Sequence, residues 1–311
     1  MKRLMFDPER QTQPATSASS RWRLCTKEKM MKKSNVVKFA PQFAALALLG
    51  CVSVHAMADQ LADIKQKGEL VCGVLGTDEP FSFIKDQSSR EIVGYEVDLC
   101  NDVAKSIGVK PVLKQLAVAA RIPELQQGRV DLLAASLTHN HEREALIDFS
   151  LSTFITGQKV MVKKSSGVNQ LTSLAGKKVL TVKGSSMEQN TKKALPTAEI
   201  VSFDNSPQAF LALQQGKGIG YVNDETSLLD NYSKLGAAAK DYTILPQSIS
   251  TEHLAFGLKK GEPAFHDQIN KVLHNLEVSG EADKLFMKWF GPSTNMHFQQ
   301  RTFKIATDKI D

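Results

Sequence analysis

The stretch Ala134-Ala-Ser-Leu-Thr-His-Asn-His-Glu-Arg143 decides how this chain is read. It follows the apolar run Val130-Asp-Leu-Leu133, which has the composition of a buried strand. Asn140 then has the position of an N-cap, with Arg143 in the first turn of the helix beyond it. Ser136 and Thr138 therefore lie on a strand-to-helix loop, alternating hydroxyls beside a guanidinium. In an open α/β sheet, ligands bind outside the carboxyl ends of the strands. A planar guanidinium flanked by two hydroxyls suits a carboxylate, because bidentate charge-assisted bonds fix both charge and orientation. The alternative for Arg143 is an ion pair with Glu142 or Glu144 on a solvated helix face.

The N-terminus has to be set aside before composition can be used. Lys32, Lys33 and Lys38 form a basic region, Phe43–Val54 an apolar one, and Ala56-Met-Ala58 a small-x-small cleavage site. Residues 30–58 therefore read as a secretory signal peptide, and the polar, uneven residues 1–29 as a segment upstream of the true start at Met30 or Met31. Residues 1–58 hold ten of the 39 basic and three of the 33 acidic residues, so residues 59–311 carry a net charge of about −1 rather than +6. Such a surface excludes a nucleic-acid partner or a polybasic membrane contact. An exported chain of 253 residues suits one large or two medium α/β domains. Its two cysteines, Cys72 and Cys100, are expected to form one disulfide in an oxidising compartment, two buried thiols being the alternative. Leu48-Leu-Gly-Cys51 has the shape of a lipid-attachment site, a weaker reading than the Ala-Met-Ala cleavage downstream.

Beyond residue 58 the pattern alternates strand and helix. Glu69–Leu75 reads as a strand, Gly76–Pro80 as a turn-rich loop, and Tyr95–Ile107 as a helix stopped by Gly108. Pro111–Leu116 is a strand and Arg121–Gly128 a short helix with Pro123 in its first turn. Ile147–Ser150 and Lys159–Val162 read as separate strands. A second set has the same shape: strand Lys178–Val182, small-residue loop Gly184-Ser-Ser186, helix Met187–Leu195, strand Glu199–Phe203, a helix capped by Ser206-Pro207, and strand Ile219–Asn223. Two long helices, Glu262–Ser279 and Glu281–Phe290, close the chain. Two such sets with a returning segment make a two-lobed α/β protein with a cleft between the lobes.

Several motifs in order then resemble the periplasmic amino-acid-binding proteins of ABC transporters. They are Cys72-Gly-Val74 with Pro80-Phe-Ser-Phe83, Gly94-Tyr-Glu-Val-Asp-Leu99, Arg121-Ile-Pro123, and Ser136-x-Thr138 with Glu142-Arg143. Lys183-Gly-Ser-Ser186, Asn223-Asp224, Gly280-Glu-Ala-Asp283 and Lys288-Trp-Phe290 continue the series. The tail Asn295-Met-x-Phe298 is similar to the glutamate/aspartate-binding branch.

The resemblance implies a type II periplasmic-binding-protein fold. Lobe 1 would take residues 59–157 and 253–311, lobe 2 residues 158–252, with hinge crossovers near 153–158 and 248–253. It implies that Arg143, Thr138 and Ser186 hold the ligand α-carboxylate, with Ser185 on the same loop. Asp224 would hold the α-ammonium, Ser136 would contact the amino group, and Tyr95 and Phe81 would lie on the side chain. Arg121 would meet a distal carboxylate, although a second arginine of that branch falls on Leu75 here. The implied function is capture of a polar amino acid, acidic by preference, in the periplasm, and its delivery by a monomer to a permease and its ATPase. A cyclohexadienyl dehydratase-like enzyme on the same fold and a sensory binding module are the alternatives. No cofactor or metal is expected: His139 and His141 lack a third ligand by sequence, and Glu96 and Asp98 read as acidic residues favouring a helix start.

Overall fold

A computed structural model describes residues 59–306; the signal-peptide reading, the upstream segment and Cys51 lie outside the described residues. In order, the elements are α1 (Gln60–Lys67), β1 (Glu69–Val74), β2 (Thr77–Asp78), β3 (Ser82–Asp86), β4 (Glu91–Val93), α2 (Tyr95–Ile107), β5 (Lys110–Gln115), α3 (Arg121–Gln126), β6 (Leu132–Leu133) and α4 (His141–Glu144). Then follow β7 (Asp148–Lys163), β8 (Lys178–Val182), α5 (Ser186–Ala194), β9 (Glu199–Phe203), α6 (Ser206–Gln214), β10 (Gly220–Asp224), α7 (Glu225–Lys234), β11 (Tyr242–Ile244), β12 (Ser250–Leu258), α8 (Pro263–Ser279) and α9 (Glu281–Phe290).

One sheet runs in the order β5-β1-β6-β12-β7-β10-β8-β9, with β11 added along β7. The first lobe is built on β5, β1 and β6, which are mutually parallel. The second is built on β10, β8 and β9, also parallel. A small antiparallel sheet, β2-β3-β4, covers the first lobe.

The sequence pattern splits β7 into two short strands, but it is a single strand of 16 residues. Its middle, Ser152–Gly157, is rich in Ser and Thr and contains a glycine, which looks like a linker. Those residues are hydrogen-bonded instead to β12, with Ser250 opposite Gln158, Glu252 opposite Thr156 and Leu254 opposite Phe154. The two crossovers are therefore one antiparallel ribbon that serves both lobes.

Apolar faces are buried in each lobe. In the first, α2, α8 and α9 cover the sheet, and an aromatic cluster fills the space between them. Phe81 meets Phe154 at 5.0 Å between ring centroids, Phe154 meets Phe290 at 4.7 Å, and Tyr95 meets Phe290 at 5.3 Å. In the second, Leu180, Val182, Leu213, Tyr221 and Leu228 form the corresponding core. At the start of α6 the capping residue is Asn205, whose side chain accepts from the Gln208 N–H at 3.0 Å, one residue earlier than the Ser206-Pro207 reading. No helix among the described residues is long and apolar enough to cross a membrane.

Cys72 of β1 and Cys100 of α2 are joined by a disulfide, their Cα atoms 6.6 Å apart and both side chains fully buried. The bond closes a loop spanning a sequence separation of 28. Cross-linking the unfolded chain over such a loop is worth about 3–4 kcal/mol on the chain-entropy account. Reduction is therefore expected to lower the thermal midpoint by roughly 6–15 °C. Scanning calorimetry of the oxidised protein against the Cys72→Ala, Cys100→Ala double variant checks this.

Candidate functional site

The decisive stretch bends sharply as it leaves β6. Ser136 has φ of 48°, a conformation uncommon outside glycine, and the surrounding bonds hold it there. Its N–H donates to both carboxylate oxygens of Glu96 at 2.9 Å, and its hydroxyl donates to Asp78 at 2.6 Å. Its carbonyl accepts from Arg121 Nη1 at 3.0 Å. Asn140 caps α4 as its position implies, accepting from the Arg143 N–H at 2.9 Å. The capped turn carries Arg143 back over the loop, where Nη1 donates to the Thr138 carbonyl at 2.8 Å. Arg143 is 8 % exposed and, among the described residues, makes no ion pair on a solvated face.

Arg121 is buried more deeply. Nε donates to the Val118 carbonyl at 2.9 Å and Nη1 to the Ala135 carbonyl at 2.8 Å. Nη2 reaches only the Gly184 carbonyl, at 3.4 Å, on the opposite lobe. Burial, aided by the like charge of Arg143, pushes its pKa down to about 9, while Glu96, Asp78 and Asp224 oppose that shift. Burial also pushes Arg143 down, with Glu252 first among the charges that pull it back.

The second lobe supplies the facing wall. Thr138 Oγ1 and Ser186 Oγ, the latter in the first turn of α5, lie 2.9 Å apart across the cleft. Ser185 is the N-cap residue of α5 and equally buried. Asp224 ends β10 in the N-cap position of α7, but its side chain makes no capping bond. One of its oxygens, Oδ1, finds no donor among the described residues. Burial pushes the Asp224 carboxyl well above its ordinary range, and Glu252 and Asp78 push it further. Asp78 itself is raised by burial, against donation from Ser136 and, across the cleft, from Ser227 at 2.9 Å.

Arg121, Ser136, Thr138, Ser185, Ser186 and Asp224 thus come together on one cavity, with Arg143 directly behind Thr138. Tyr95 and Phe81 do not. Both lie fully buried in the aromatic cluster of the first lobe, and the Tyr95 hydroxyl donates to the Thr153 carbonyl at 2.8 Å. Their rings satisfy the core because α2 turns its first residue inward. Glu96, at a helix start as read, also holds Ser136 in place; Asp98 instead bonds Lys288 and Trp289. Three acidic residues escaped the sequence reading of the site. Asp78 lies in a stretch with the composition of a turn, Glu96 suits the helix dipole, and Glu252 lies in a crossover, where Asn190 donates to it at 2.8 Å. The alternation of β12 is the one signal that could have turned Glu252 inward.

His139 and His141 share one carboxylate, that of Glu144, at 2.8 and 3.0 Å. They line a hollow of about 740 Å³ on the outer face of the first lobe, larger than the cleft but without its buried charges of both signs. In the cleft only about 20 Å³ stays open, room for roughly one water. Further contacts hold the lobes this close: Gln189 donates to Glu142 at 2.7 Å and Lys234 to Glu79 at 2.8 Å.

The fold and this cleft are those of a two-lobed solute-binding protein. Residues 70–292 match the family described as bacterial extracellular solute-binding proteins, family 3, and the chain belongs to it. It is 32 % identical over 271 residues to the ABC transporter glutamine-binding protein GlnH of Bacillus subtilis, covering 83 % of this chain and 97 % of that one. It is 28 % identical over 273 residues to an L-glutamate/L-aspartate-binding protein of Pseudomonas aeruginosa, covering 82 % and 89 %. Among solved structures, an ancestral arginine-binding protein bound to arginine is similar at a TM-score of 0.67 and 35 % identity, over 72 % of this chain and 99 % of that one.

Two predictions come from this geometry. A Cβ on Gly184, whose φ is +72°, would lie 2.8 Å from the Ala119 Cα across the cleft. Gly184→Ala is expected to hold the lobes apart, raising the radius of gyration in small-angle scattering and weakening ligand at least tenfold. Burial, aided by the Asp78 charge, raises the Glu96 carboxyl to about 8. A carboxyl raised on folding stabilises below its unfolded pKa of about 4.3, and that contribution is lost as pH rises through about 8. Glu96→Gln should therefore flatten the fall in chemical-denaturation stability between pH 5 and 8, by an amount on the order of 2–4 kcal/mol.

Proposed function

We propose that the protein is the solute-binding component of an amino-acid ABC transporter, and that its cleft clamps the zwitterionic head of a free amino acid. The observation that carries this is a pair of buried, opposite charges set at one cleft: Asp224 lines it from the second lobe, and Arg143 of the first lies behind the lining residue Thr138. In this reading Arg143, Thr138, Ser186 and the backbone N–H groups at the start of α5 receive the α-carboxylate. Asp224 receives the α-ammonium, whose positive charge offsets both its burial and the nearby Glu252. Ser136 and Ser185 shape the wall, and Arg121 faces the side chain. Tyr95 and Phe81 support the loops from the core.

Residues 59–157 and 253–306 form the lobe that carries Arg143, and 158–252 the lobe that carries Asp224. The β7–β12 ribbon is the hinge, and a ligand touching both lobes biases the open–closed equilibrium toward closure. The closed monomer then docks on a membrane permease served by an ATPase, in the periplasm if residues 30–58 act as an export signal. Relatives that bind glutamine, glutamate/aspartate and arginine support an amino acid without selecting one. The acidic preference implied by the tail motif rests on Arg121 alone, and Asp78 beside it works against that preference.

A dehydratase-like reading needs a cleft carboxylate free to move a proton. Both oxygens of Glu96 accept from the Ser136 N–H and those of Asp78 accept from Ser136 and Ser227, so Asp224, whose Oδ1 has no donor among the described residues, is the carboxylate that separates the two readings: paired with an ammonium in a binder, free in a dehydratase. Refolded protein, stripped of carried ligand, is scanned by thermal unfolding against the twenty amino acids and prephenate. A ligand with a Kd near 1 μM, present at 1 mM, contributes about 4 kcal/mol and raises the midpoint by roughly 8–16 °C. Arg143→Ala and Asp224→Ala should each abolish the shift. Turnover of prephenate without any amino-acid shift would overturn the transport reading.

A further inference from the structure

We propose that the side-chain end of the cleft is built for a carboxamide, so that the amino acid carried is one with an amide side chain. This rests on the amino-acid-binding reading above and narrows it. Arg121 and Asp78 both line the cavity, and both are bonded to Ser136, one at its carbonyl and the other at its hydroxyl. A guanidinium only donates and a carboxylate only accepts.

Neither group is saturated. The three N–H bonds on Nε and Nη1 of Arg121 go to the Val118, Ala135 and Ser136 carbonyls. Nη2 spends one N–H on the distant Gly184 carbonyl, at 3.4 Å, and keeps the other. Each oxygen of Asp78 accepts one hydroxyl, from Ser136 or Ser227, and each retains a lone pair.

Each kind of side-chain head can be tried against this pair. A carboxylate meets Arg121 but sets its charge beside Asp78, with Glu96 behind Ser136. An ammonium or guanidinium meets Asp78 but sets its charge against Arg121. Each charged head therefore faces one like charge in a site where burial shields little. A carboxamide gives its carbonyl to Arg121 Nη2 and its NH₂ to Asp78, and it brings no net charge. Leu75, Val118, Val182 and Met187 flank the same cavity and suit the methylenes between head and amide. The apolar Leu75, which removes a second arginine from the acidic reading, is in place for such a stem.

Isothermal titration of the stripped protein with L-glutamine, L-asparagine, L-glutamate and L-arginine tests the assignment. The expected result is an amide amino acid bound at least tenfold more tightly than glutamate or arginine. Asp78→Asn keeps the shape and removes the charge, so glutamate should gain at least tenfold relative to glutamine. Glutamate or arginine binding more tightly than both amides, or an unchanged ratio in Asp78→Asn, would overturn the carboxamide site and leave the amino-acid receptor standing. If none of the twenty amino acids binds, the receptor reading itself falls. Should Asp78→Asn not fold, the order of affinities in the native protein decides alone.

Discussion

One buried charged group dominates this molecule: the guanidinium of Arg121. Burial of a guanidinium is tolerated only when its donors are met and its charge is balanced nearby. The Val118, Ala135 and Ser136 carbonyls meet three of its five N–H donors and tie two loops to one side chain. Glu96, Asp78 and Asp224 are the acidic groups that pull its pKa back up against burial. The unusual backbone of Ser136 follows, because its amide must face Glu96 while its carbonyl faces Arg121. Thr138 and Arg143 inherit their places from that bend.

In the proposed reading, the cleft would therefore recognise a solute with groups that are already committed to one another. Buried polar networks of this kind are stiff when fully satisfied and costly when one member is left alone. Here the strained member is Asp224, with one oxygen lacking a donor and a like-charged neighbour in Glu252. A cation arriving at that point relieves the strain, and an ammonium on a small solute is such a cation. On the proposed reading, affinity would come from completing a network rather than from the breadth of apolar contact.

Much of this was legible in the chain because the relevant signals are local. The cap at Asn140, the hydroxyls at 136 and 138 and the guanidinium at 143 lie within eight residues, and helix geometry fixes how they face. The Ser185-Ser186 loop before α5 was equally plain. Long-range features were harder. β7 looked like two strands because its centre has the composition of a linker, and only pairing with β12 makes it continuous. Asp78 reads as an ordinary turn residue until the fold sets Ser136 and Ser227 against it. Tyr95 and Phe81 show the opposite error, since an aromatic at a helix start can turn toward cleft or core, and the rings of α9 decide which.

The β7–β12 ribbon carries a consequence of its own. Backbone hydrogen bonds run along it through the whole crossover, so the lobes cannot part by breaking the ladder. A two-stranded ribbon yields most easily in torsion, because twisting tilts its hydrogen bonds while bending stretches them. The tail reinforces one end, where Ser152 pairs with Ala306 and Phe303 lies 4.8 Å from Phe154. The compliant length is thus reduced to a few residues around Gly157. In the proposed hinge, motion of the lobes would be a screw-like turn about a nearly fixed axis, bringing the two walls of the cleft together in the same register at every closure.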